Sequence, residues 1–113
     1  VYYRRKPLNE AKFEEYINKF PKSIIRCKGI VWFNNDYEMS YVFEQAGKQK
    51  GVYEGGEWIA TFPEEEIKML RKEHTDLERD WDDKIGDRMV KLVFIGQNMD
   101  KKAISDELDK CLA

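Results

Sequence analysis

Few side chains of this 113-residue sequence could do chemistry, and they are scattered. Cys27 and Cys111 have no second Cys or His at metal-ligand spacing, and two buried thiols are the commoner arrangement for such cysteines. The single histidine, His74, lies in a strongly charged stretch, which is typical of a solvated helix end. These residue types therefore favour structural roles over a metal site or a general base.

A run of carboxylates between Asp80 and Asp83 is the remaining candidate for cation binding. Most charge runs are simply solvated, so this interpretation is the weaker one. We predict no metal ligand in this chain, but keep metal binding by Cys27, Cys111, His74 or the Asp80 to Asp83 cluster as an open alternative. That alternative requires the isolated chain to bind zinc or cobalt tightly and stoichiometrically.

Sequence features of an enzyme are absent. There is no G-x-x-x-x-G-K-[ST] loop, and the spacing of Gly51, Gly55 and Gly56 predicts hairpin turns instead of a strand-to-helix junction that could hold phosphate. A hydroxyl or thiol nucleophile also needs a base within reach, and no such pair can be assigned. We therefore expect no catalytic residue and no cofactor-binding residue here.

Composition predicts one globular domain over residues 1–113. Lys and Arg total 20 against 22 Asp and Glu, a formal net charge of -2 that gives no general attraction for nucleic acid or anionic lipid. No apolar run is long enough to cross a membrane, and the start has no secretory signal, so we expect a cytoplasmic protein. Because the chain starts at Val1 instead of Met, we also expect a piece of a longer protein.

Hydrophobic periodicity predicts an α+β fold. The predicted fold is a two-layer sandwich, with a mainly antiparallel sheet of about five strands and two amphipathic helices on one face. This arrangement of layers is similar to that of a ferredoxin-like unit. The predicted strands are 1–6, 23–33, 39–46, 49–53, 58–62 and 88–95, with a turn at Gly55-Gly56. The predicted helices begin after Asn9, at Pro63 and after Asp100, and the second one ends near His74 before an irregular, charged connection.

The strand over 23–33 separates into two faces. Ile25, Cys27, Gly29, Val31 and Phe33 are apolar or small and should face the helices. The opposite face mixes cations with a large aromatic, as interface surfaces do. Our candidate interaction surface is therefore Arg26, Lys28, Ile30 and Trp32. The alternative is that the two cations are solvated and Trp32 covers an edge of the core.

The segment Arg26-Cys27-Lys28-Gly29-Ile30-Val31-Trp32 resembles the R-x-K-G-x-x-W segment of CobW C-terminal domains. Other blocks agree in family order over nearly the whole chain, although Leu8 stands where an aromatic is usual. They are Arg5-Lys6-Pro7-Leu8, Gln45-Ala46-Gly47, Trp58 with Phe62-Pro63-Glu64-Glu65-Glu66, Asp80-Trp81 with Gly86-Asp87-Arg88, and Leu92-Val93-Phe94-Ile95-Gly96.

This resemblance implies a parent chain with an N-terminal P-loop GTPase domain and a C-x-C-C metal site, in a family of metallochaperones. GTP and a divalent metal such as zinc or cobalt are thus implied for the parent, with the GTPase domain of the same chain and a client metalloprotein as partners. Neither the P-loop nor the C-x-C-C element is present in this sequence, so no ligand residue carries over.

A stand-alone RNA- or protein-binding module is the alternative function. Lys28-Gly29-Ile30-Val31-Trp32-Phe33 is superficially similar to the basic-Gly-aromatic core of an RRM strand. Ile30 occupies the first stacking position, however, and the net charge is slightly negative. Nucleic acid is therefore the less favoured partner.

Overall fold

In the computed structural model, which describes all 113 residues, one five-stranded sheet forms a layer that is covered by helices. Every strand pair is antiparallel, and the order across the sheet is β1-β5-β2-β3-β4. The strands are β1 (Tyr2–Arg4), β2 (Ile24–Phe33), β3 (Asp36–Ala46), β4 (Gln49–Glu57) and β5 (Val90–Gly96). The helices are α1 (Glu10–Ile17), α2 (Glu64–Glu73), α3 (Thr75–Asp80) and α4 (Lys101–Asp109), with a 3₁₀ helix at Ile59–Thr61.

The core lies between one sheet face and the helices α1 and α4. Asn9 caps α1 by accepting a hydrogen bond from the backbone N–H of Lys12, and Asp100 caps α4 in the same way from Ala103. Phe13 of α1 packs edge-on against Phe43 of β3, with ring centroids 5.3 Å apart. The predicted α+β architecture, with a five-stranded antiparallel sheet, is confirmed.

Close approach of β2 and β5 depends on a glycine. A Cβ placed on Gly29 would collide with the backbone oxygen of Lys91 and the Cα of Leu92. Gly29 lies directly opposite Leu92 in the sheet register. The position therefore accepts no larger residue without separating the two central strands.

The middle of the chain departs from prediction in two places. Gly55-Gly56 does not form a turn, because β4 continues to Glu57 and the pairing shifts by one residue between Ser40 and Tyr41. This shift leaves Gly55 as the extra residue of a β-bulge. The segment after Trp58 was predicted as a strand, and that prediction is wrong because it forms the 3₁₀ helix.

The charged segment between His74 and β5 is more helical than predicted. After α2 ends at Glu73, α3 continues from Thr75 to Asp80, so Asp80 belongs to a helix and not to an irregular connection. Both helices carry acidic residues in their first turn and basic residues in their last, which matches the helix dipole. None of the helices combines the length and apolar character that crossing a bilayer requires.

A bulge in β2 corrects the predicted faces of that strand. The register with β5 shifts between Ile24 and Arg26, so two successive residues, Ile25 and Arg26, lie on the face away from the helices. Ile24 is consequently buried with Cys27 in the core, whereas Ile25 is 48% exposed. The sequence pattern placed these two isoleucines on the wrong faces.

Candidate interaction surface

The sheet face opposite α1 and α4, here called the outer sheet face, holds most of the predicted interaction residues. The strand registers arrange it in rows that cross the sheet. One row is Ile95, Arg26, Ala46 and Gln49, the next is Val93, Lys28, Glu44 and Gly51, and the third is Tyr3, Lys91, Ile30, Val42 and Tyr53.

Several large apolar side chains on the outer sheet face are open to solvent. Ile95 is 58% exposed and Val93 44%, and both lie on β5 beside the exposed Ile25 of β2. Tyr53 of β4 is 47% exposed in the third row. Exposed apolar side chains gathered on one face, in contrast to scattered ones, are typical of a surface that meets another macromolecule.

Charged side chains are interspersed with the apolar positions of this face. The Lys28 ammonium lies 3.3 Å from a carboxylate oxygen of Glu44, its cross-strand neighbour. The Tyr53 hydroxyl and the Lys28 ammonium together hold the pKa of Glu44 below its usual range. Arg26 is exposed and makes no ion pair within the domain. Arg26 is therefore an unpaired cation on the outer sheet face.

Trp32 does not belong to this accessible surface, and its inclusion was wrong. Its side chain is 1% exposed, and its ring packs edge-on against Tyr37 with centroids 5.1 Å apart. Arg88 in turn stacks on Tyr37, 5.5 Å from the ring centroid, and donates a hydrogen bond to the Tyr37 carbonyl at 2.7 Å. Trp32 is thus a core residue, while Ile30 is half-buried and Arg26 and Lys28 are exposed.

Arg5 has a role that the sequence did not indicate. Its guanidinium donates hydrogen bonds to three backbone carbonyls, those of Asp80 at 2.6 Å, Gly86 at 2.6 Å and Arg88 at 3.0 Å. These acceptors lie at least 75 residues away along the chain. Arg5 therefore fastens the end of β1 to the connection between α3 and β5, and no local pattern could have shown it.

The turn before β5 has a structural role. Gly86 has φ +68, and an added Cβ would press on Ala60 and Trp81. The next residue, Asp87, accepts hydrogen bonds from the backbone N–H groups of Ile59 and Ala60 at 3.0 and 2.9 Å. The carboxylate thereby caps the 3₁₀ helix and joins it to the start of β5.

The candidate metal ligands lie in different environments. Cys27 and Cys111 are buried thiols, and burial raises the pKa of Cys27 to about 12. His74 is exposed between α2 and α3. Asp80 lies beside Arg79 at 3.2 Å, and Asp82 accepts hydrogen bonds from the backbone of the turn that follows it. No group of three or more His, Cys, Asp or Glu side chains could hold a metal ion.

Residues 1–112 match the family described as the cobalamin synthesis protein cobW C-terminal domain. A curated relative, zinc-regulated GTPase metalloprotein activator 1 of Dictyostelium discoideum, is 30% identical over 116 residues. The match covers 99% of this chain and 24% of the relative, so the chain spans about a quarter of that protein's length.

Two solved structures share the fold. A zinc-bound triple mutant of the YjiA GTPase superposes with a TM-score of 0.65 at 11% sequence identity, covering 98% of this chain and 28% of that one. The zinc-bound YjiA GTPase from E. coli gives a TM-score of 0.62 at 12% identity with the same coverage. At such identities the likeness concerns the fold alone.

Proposed function

Because the chain belongs to the cobW C-terminal domain family, we propose that it is the non-catalytic accessory domain of a longer GTPase chain. In this proposal its outer sheet face binds the GTPase domain of the same chain. Two facts support it: the chain matches only 24% of a relative that is named as a zinc-regulated GTPase, and the apolar outer sheet face has no covering layer within the domain. GTP and a metal such as zinc or cobalt then belong to the whole parent protein.

The observation that carries this proposal is the exposure of Ile25, Val93 and Ile95 beside Arg26. Burying exposed apolar area releases roughly 25 cal/mol per Å², so solvent exposure of three such side chains is costly unless a partner covers them. Arg26 next to these residues supplies a side chain type that is enriched at interface centres. The paired Lys28 and Glu44 lie in the row next to Arg26 and would add polar contacts to such an interface.

A client metalloprotein is the second candidate partner of the same face. Both candidate partners would bind the same exposed residues, so the geometry of the face does not distinguish between them. A binding experiment does. If the GTPase domain occupies the outer sheet face in only one nucleotide state, the face becomes available to a client in the other. Nucleotide-dependent affinity is therefore the property to measure.

The test is a calorimetric titration of this domain with the separately expressed GTPase domain of the same parent, loaded with a GTP analogue or with GDP. We expect binding that differs between the two nucleotides, and at least about a tenfold loss of affinity for Ile95→Glu, because the carboxylate would be desolvated on docking. Met69→Glu is the matched control, since Met69 is 55% exposed and belongs to α2 and not to the sheet.

The outcomes separate the candidates. Loss of binding with Ile95→Glu but not with Met69→Glu supports docking through the outer sheet face. Binding that is unchanged by Ile95→Glu and Ile25→Glu, or no binding in any nucleotide state, refutes GTPase docking and leaves client binding to be tested with the same variants.

A further inference from the structure

We propose that β4 is a pairing edge, at which two copies of this domain associate through antiparallel β4 strands centred on Val52. The docking residues Ile25, Arg26 and Ile95 do not take part, so this proposal is independent of docking to the GTPase domain. Pairing would join two five-stranded sheets into one continuous sheet of ten strands.

The position of β4 provides the first argument. It is the last strand of the sheet and pairs only with β3, so the backbone groups on its other side have no strand partner. All nine residues from Gln49 to Glu57 are exposed. The opposite edge, β1, is only three residues long. A long open edge is a ready template for another strand, whereas a three-residue edge is not.

The sequence of β4 provides the second argument, because it is complementary to itself. An antiparallel pair with two-fold symmetry about Val52 places Lys50 of each copy directly opposite Glu54 of the other. The same register sets Val52 against Val52 and Tyr53 against Gly51. Opposite charges and apolar pairs directly across a strand pair are the contacts that stabilise a sheet.

The alternation of side chains keeps these contacts on matching faces. Val52 lies opposite Phe43 in the β3–β4 register, so Val52, Lys50 and Glu54 share the helix-covered side of the sheet. Tyr53 and Gly51 lie on the other side. The ring of Tyr53 can therefore cover the glycine of the second copy, where no side chain competes for the space.

The register is specific. Centring the pair one residue earlier sets Lys50 against Val52, and centring it one residue later sets Val52 against Glu54. Each alternative replaces a charge pair with a charge facing an apolar side chain. The bulge at Gly55 distorts the strand beyond Glu54, so the regular segment that can pair is the one that contains this complementary set.

The two charges are also free within the domain. Neither Lys50 nor Glu54 belongs to any of its ion pairs, which involve other residues throughout. Pairing with a second copy would give each of them an oppositely charged neighbour at about 5 Å between Cβ atoms. Complementary charge thus selects a second copy of this chain as the occupant.

The experiment is sedimentation equilibrium of the chain over a wide concentration range, since one strand pair buries little area and should associate weakly. We expect a monomer–dimer equilibrium. Lys50→Glu replaces two attractive pairs with two repulsive ones by symmetry, and should weaken the dimer on the order of tenfold. Glu54→Lys should do the same.

The double variant Lys50→Glu with Glu54→Lys restores opposite charges in reversed order, and should recover dimer affinity to within about twofold of the original. Lys48→Glu is the matched control, because it makes the same charge change in the hairpin turn outside the paired segment and should leave the dimer unaffected. Circular dichroism confirms that each variant is folded.

Failure of the double variant to recover affinity would overturn the proposed register. A chain that stays monomeric at every concentration would refute self-pairing altogether, and would favour an extended segment of another protein at this edge. Ile95→Glu, which tests the outer sheet face, should leave the dimer constant unchanged, so the two proposals fail independently.

Discussion

The contribution of Arg5 to stability can be worked out from its contacts. Arg5→Met keeps a long side chain but removes the guanidinium that donates to the carbonyls of Asp80, Gly86 and Arg88. A hydrogen bond with a charged donor contributes about 1.5–3 kcal/mol net. The three bonds share one cation, and one of the three lies at the exposed surface, so we expect a loss of about 2–3 kcal/mol instead of the sum.

Arg5→Lys should recover only part of this loss. An ammonium group keeps the charge but lacks the planar fork that reaches three carbonyls at once, so we expect Arg5→Lys to cost about 1–2 kcal/mol. For a domain of this size, the loss in Arg5→Met corresponds to a Tm lower by about 10 °C. Lys6→Met is the matched control, since Lys6 is exposed and adjacent, and it should change stability by less than about 0.5 kcal/mol.

Urea unfolding monitored by tryptophan fluorescence measures these differences in stability. Trp81 is a suitable reporter because it lies in the connection between α3 and β5 that Arg5 holds. Equal m-values across the variants would show that midpoint shifts report stability. The reasoning is refuted if Arg5→Met costs no more than Lys6→Met, because the three carbonyl contacts would then contribute nothing net.

Two further predictions concern titrating groups. Arg4 and Tyr2 donate hydrogen bonds to Asp109 and lower the pKa of its carboxyl group, so this stabilisation is present above about pH 4 and lost as pH falls through the folded-state pKa. The difference in unfolding free energy between the original and Asp109→Asn should therefore shrink between pH 7 and pH 2, and a constant difference contradicts this. Because burial raises the pKa of Cys27 to about 12, this thiol should react with a disulfide reagent at pH 8 only after unfolding, and rapid labelling of folded protein would be the contrary result.

Local signals were sufficient for most of the elements, with the exceptions of the 3₁₀ helix after Trp58 and of α3. The helices after Asn9 and Asp100 begin as predicted, with both residues as caps, and the strand predicted over 88–95 is β5. These features depend on neighbouring residues, so a sequence displays them directly. The family resemblance likewise rested on short blocks in a fixed order, and the match over residues 1–112 confirms it.

The candidate surface was only partly predictable. Arg26 and Lys28 are exposed on the outer sheet face, as the period of two indicates, but the bulge at Ile25 reverses the alternation at that end of β2. One extra residue moves every side chain beyond it to the other face, and nothing in the local composition marks its position. Trp32 at the far end is buried because Tyr37 packs against it.

Sequence by itself determined the α+β architecture, the helix caps and the family, because each follows from residue types at short, regular spacing. Tertiary structure alone decided which faces Ile24 and Ile25 occupy, that Trp32 is core, and that Arg5 holds a connection at least 75 residues away. The physical reason is that hydrogen bonds and packing between distant segments depend on the folded backbone path, which no local pattern encodes.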